Sequence, residues 1–124
     1  MKYAWKLSNS VTAVYGAAVV GLLALLMHAW QGSLTPEALV KVISAVAVLA
    51  FHALALLALG LLAAPSKLIG LVVALWHLGI WGFVWTVIAG VFQLPLHMSA
   101  LAPVGGQLLI VAWLLLAASA WRRS

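Results

Sequence analysis

Residues 42–64 read VISAVAVLAFHALALLALGLLAA and contain no charged side chain. At about 1.5 Å of rise per residue, this stretch alone can cross the roughly 30 Å of hydrocarbon in a bilayer as one helix. An amphipathic helix of a soluble protein carries one apolar stripe, whereas here apolar residues cover every face. That is the pattern of a helix surrounded by lipid.

Three further apolar stretches lie outward from it, at about 11–30, 68–90 and 104–121. The first follows the polar run Lys6-Leu7-Ser8-Asn9-Ser10. It is longer than the roughly 7–15 residues of a signal-peptide core and lacks a small-residue cleavage site, so it is read as a retained helix. Ahead of the second span, Thr35-Pro36-Glu37 has the form of a helix start, with a capping hydroxyl, proline at the first position and an acid at the positive end of the dipole. Pro65-Ser66-Lys67 makes a tight turn into the third span. The segment from Val91 to Pro103, with Pro95 and His97, is expected to be an interfacial loop. Short connections make consecutive helices neighbours, so the expected fold is an all-α membrane protein, an antiparallel up-down bundle of four transmembrane helices forming one domain.

The composition agrees. Apolar residues make up 68% of the 124 positions and charged residues 6%, against about 25% charged in soluble domains. The net charge of +5 comes from six bases and one acid. The bases stand at span ends, which points to topology and not to nucleic acid. Lys2, Lys6, Lys67, Arg122 and Arg123 share one side and Lys41 lies alone on the other, so positive-inside bias puts both termini in the cytoplasm. Trp5, Trp30 and Trp121 fall where interfacial aromatic anchors are expected.

What is missing bears on function. There is no cysteine and no aspartate, and Glu37 is the one glutamate. Thiolate metal sites, paired-carboxylate catalysis and a Ser-His-Asp triad all need residues this chain lacks. No G-x-S-x-G turn or phosphate-binding glycine loop is present either. An enzyme is not expected.

Helices inside lipid associate through close packing of small residues. Ala13, Ala17 and Gly21, with Ala24 beyond, form one stripe in the first span. Gly79 and Gly82, with Thr86 and Gly90, form a second stripe in the third span, and Gly105-Gly106 opens the fourth. These faces are expected to be buried between helices, and one of them is a candidate oligomer interface.

Polar groups deep in a span are functional suspects. His52 and His77 flank the Ser66 turn by fourteen and eleven residues (66 − 52 and 77 − 66), so their depths agree within roughly 5 Å. That makes them the candidate cofactor pair, for haem iron above all, against the plainer alternative that each bonds a neighbouring carbonyl or hydroxyl. At the opposite surface Met27-His28 and His97-Met98 combine imidazole and thioether, ligands that suit copper.

The run Phe51-His52-Ala53-Leu54-Ala55-Leu56-Leu57, Gly82, and Ala102-Pro103-Val104-Gly105-Gly106 followed by Ala112-Trp113 resembles the YgdD-like family of small bacterial inner-membrane proteins. The resemblance covers most of the chain and implies a four-span layout in the inner membrane. The function expected from the whole sequence is that of a non-catalytic accessory or interaction subunit, packed against other membrane proteins or further copies of itself. The alternative is histidine-based binding of haem, copper or a quinone-like ligand.

Overall fold

The computed structural model describes residues 2–123. Four helices, each long and apolar enough to cross a membrane, account for most of the described residues: α1 (Lys2–Trp30), α2 (Pro36–Leu62), α3 (Lys67–Phe92) and α4 (Leu101–Arg123). There is no strand among those residues.

Local chemistry sets most helix ends. The Thr35 hydroxyl accepts from Ala38 N at 3.1 Å, Pro36 fills the first position of α2, and Glu37 pairs with Lys41 at 3.0 Å. Ser66 caps α3 by accepting from Ile69 N at 3.2 Å. Pro65 disfavours helical geometry in the residue before it, and α2 has already ended at an extended Ala63. α3 stops where Gln93 turns left-handed, with φ 55°, and Leu94 N reaches back to Ala89 O at 2.8 Å. That six-to-one bond closes a Schellman-type end.

Two ends differ from the sequence reading. α1 begins at Lys2, so the polar run before Val11 is helical. Its hydroxyls bond within the helix, Ser10 to Lys6 O at 3.0 Å and Thr12 to Ser8 O at 2.8 Å. α4 begins at Leu101, which puts Pro103 in the first turn and not in the loop. The first four amides of a helix have no intrahelical acceptor, so proline breaks no bond there.

A wider π turn closes α1 at Leu26–Trp30, and another interrupts α3 at Trp81–Trp85. Such turns shift the azimuth of everything beyond them. The one in α3 starts beside the helix's closest contact.

α1 lies along α2. Gly60, near the end of α2, leaves room for the Asn9 amide near the start of α1, and Leu26 packs with Val42 and Val46 at the opposite end. Between α3 and α4 the facing residues are Trp76 with Trp113, Gly79 with Leu109, and Gly82 with Gly105. Numbers rise along one helix as they fall along the other in both pairs, so each pair runs in opposite directions. The core lies on Val42, Ala45, Leu49 and Leu56 of α2 and on Ile69, Val72 and Trp76 of α3, none more than 5% exposed.

The small-residue faces divide. Gly79, Gly82 and Gly105 bring α3 and α4 into backbone contact, and Gly106 borders Phe83. Ala13, Ala17 and Gly21, expected to be buried, are exposed on the outside of α1, and a Cβ at Gly21 would meet nothing within 4 Å. The buried side of α1 is carried by Thr12, Tyr15 and Leu26. Tyr15 finds its polar and aromatic partner, His77, inward, and that rotation turns the alanine and glycine stripe outward.

Candidate functional site

The candidate site lies between α1 and α3. Successive residues on a helix point about 100° apart, so Trp76 and His77 leave α3 in different directions. Trp76 enters the core beside His52 and Trp113, with ring centroids 5.9 and 4.6 Å away. His77 turns to α1 and stands between two hydroxyls, with Nε2 2.8 Å from Ser8 Oγ and Nδ1 2.8 Å from the Tyr15 hydroxyl.

Ser8 and Tyr15 are seven residues apart, two helical turns, and so lie on one face of α1 with Thr12 between them. His77 is ten residues beyond Lys67, about 15 Å along α3 and thus near mid-membrane. An open groove of about 880 Å³ runs past this cluster, with Lys2 and Lys6 at its mouth and Gly70 and Ala74 on its α3 wall. Beyond Tyr15 and Trp81 it continues into a second hollow of about 700 Å³, lined by Gly21, Leu25, Trp85 and Ile88. Sequence reasoning singled out His77 but not its partners. The spacing of Ser8, Thr12 and Tyr15 was the available signal.

His52 belongs to another network. Its Nδ1 donates to Val48 O at 2.7 Å, and its Nε2 accepts from the Trp113 indole at 3.0 Å. A carbonyl only accepts and an indole only donates, so this fixes a neutral imidazole protonated on Nδ1. The lone pair that would ligate a metal is occupied by Trp113. Trp76 Nε1, buried next to it, has no hydrogen-bond partner among the described residues.

The structure therefore does not bring His52 and His77 together. They match in depth but face different neighbours, and shared haem ligation would require both to release their present partners. Met27, His28, His97 and Met98 are all exposed. They lie at the same end of the bundle, where Trp30 and Phe92 stack with centroids 4.6 Å apart. His97 Nδ1 donates to Leu94 O at 2.8 Å. Among the described residues, no three of His, Cys, Asp or Glu converge.

Fold and site together define a four-helix membrane protein with a groove along one flank and hydrogen-bonding groups halfway down it. Comparison with family models, curated proteins and solved structures gives no match.

Proposed function

We propose that the protein is a non-catalytic binding protein of the membrane that holds a hydrophobic small molecule in the groove between α1 and α3. The observation that carries this reading is the Ser8–His77–Tyr15 cluster in a mostly apolar cleft. Ligand sites combine that kind of apolar lining with a few convergent polar groups. It is the quinone-like branch of histidine-based binding, with the imidazole as hydrogen-bonding partner and not as metal ligand. The distribution of basic residues supports both termini in the cytoplasm, and the YgdD-like resemblance supports the inner membrane.

Gly70 offers the test. It lines the groove, and a Cβ there meets nothing within 4 Å, so Gly70→Phe fills the cleft without disturbing the bundle. Native mass spectrometry of the protein purified in mild detergent should find an amphiphile of defined mass on the wild type and none on Gly70→Phe. Identical adduct patterns for the two proteins would refute the reading.

A second reading, an accessory subunit packed against another membrane protein or another copy, is favoured by one observation: the Ala13, Ala17 and Gly21 face is uncovered within the chain. Small residues let helix backbones approach closely in lipid. Ala17→Leu lies on the part of this face that does not line the groove and should leave the monomer as stable as before. Loss of cross-linked species in membranes would support an interface on this face, and unchanged cross-linking would remove it.

A further inference from the structure

We propose that the ligand of the α1–α3 groove is a prenylquinone-type molecule, its ring carbonyl accepting from whichever of Ser8 and Tyr15 the His77 tautomer leaves free and its tail lying toward Ile88. This rests on the groove being a binding site and names what fills it.

A count of hydrogens makes the first argument. Two hydroxyls and one neutral imidazole bring three polar hydrogens to the cluster, and its two hydrogen bonds use two of them. If His77 is protonated on Nε2, it donates to Ser8 and accepts from Tyr15, which leaves the Ser8 hydrogen over. If it is protonated on Nδ1, the Tyr15 hydrogen is left over. In both tautomers one hydroxyl donor remains, and neither hydroxyl has another acceptor among the described residues. In hydrocarbon an unsatisfied donor is costly. The complementary ligand group is therefore an acceptor.

Surroundings select among acceptors. The Ser8 end of the cluster stands two residues from Lys6, but around Tyr15 the groove is walled by Val11, Val73, Ala74 and Trp81, where a charge would lose its water without gaining a cation. A carboxylate or phosphate is better served by Lys2 and Lys6 at the mouth, so the acceptor that reaches into the cluster is neutral: a carbonyl. Shape adds the rest. Tyr15 and Trp81 border both hollows and offer aromatic surface to a flat ring. The second hollow has almost no polar lining and accommodates a branched hydrocarbon tail.

The test compares three probes on the full chain in nanodiscs: decyl-benzoquinone, decylbenzene and decanoate. Gly70→Phe serves as the control for simple partition into lipid. Saturable binding of decyl-benzoquinone, absent in Gly70→Phe, is the expected result. In the Ser8→Ala/Tyr15→Phe double variant the affinity should fall about tenfold, the loss of roughly one hydrogen bond. The carbonyl band of the bound quinone in infrared spectra should lose its downward shift in the same variant. Decylbenzene binding as tightly as the quinone, or decanoate binding more tightly, overturns the carbonyl assignment while leaving the groove a ligand site. No saturable binding of any probe overturns both.

Discussion

Gly105→Ala should cost the roughly 1–3 kcal/mol typical of an overpacked site, or more, while Gly106→Ala should be neutral or stabilising by up to about 1 kcal/mol. The two positions are adjacent, so helix propensity predicts the same gain at both. Their surroundings differ. A Cβ on Gly105 would lie 2.6 Å from Gly82 C and 2.9 Å from Gly79 O, and would also strike the Phe83 amide. All three obstacles are backbone, so no rotamer change can relieve them and α4 must back away from α3. At Gly106 the nearest atom is Phe83 Cδ2 at 3.8 Å, an ordinary contact. Association in lipid depends on close packing more than on expulsion of water, so lost contact along α3 and α4 has little to offset it. Reversible unfolding in mixed micelles measures both variants. Equal stability of the two alanine proteins would show that the helices do not meet at this glycine.

This contact was legible in the sequence, because glycines at 79, 82 and 105 have few other uses in mid-helix. The four spans were legible for a simpler reason: uncharged stretches long enough to cross a bilayer have few alternatives. Helix ends were harder to read. The polar run before Val11 looks like a boundary by hydropathy, yet Ser10 and Thr12 satisfy themselves on carbonyls one turn back, and the helix continues through them. Pro103 looks like a breaker, but it falls where α4 has no amide bond to lose.

The site was half legible. Depth can be counted along a helix, and it identified His52 and His77 as intramembrane polar groups. Azimuth cannot be counted reliably without knowing which face packs on which neighbour. A single residue step separates Trp76, which faces His52, from His77, which faces Tyr15. The same uncertainty reversed the α1 stripe: Ala13, Ala17 and Gly21 have the spacing of a buried face, but Tyr15 with 6% exposure is the residue that turns inward. Polar stripes carried more information here than small-residue ones, since a hydroxyl in lipid needs a partner and an alanine does not.

The His52–Trp113 pair provides the second large effect. Trp113→Phe keeps an aromatic ring against Trp76 and Phe51, whose centroids lie 4.6 and 5.2 Å away, but it removes the donor to His52 Nε2. His52 is 6% exposed, and its Nδ1 hydrogen is committed to Val48 O, so the stripped lone pair finds no water, and the spare donor beside it, Trp76 Nε1, would have to move to reach it. The expected cost is about 1–3 kcal/mol, that of a buried acceptor left unsatisfied. His52→Leu leaves the Trp113 indole N–H without its acceptor and should also destabilise. The double variant His52→Leu/Trp113→Phe removes both ends of the bond and should be more stable than the sum of the single losses predicts. A coupling near the upper end of the values known inside membranes, about 1.7 kcal/mol, is expected, because the one spare donor beside the imidazole, Trp76 Nε1, must move before it can replace Trp113. Measured by the same micelle unfolding, strictly additive losses would show that the two side chains stabilise the bundle by shape alone and that the hydrogen bond between them contributes nothing.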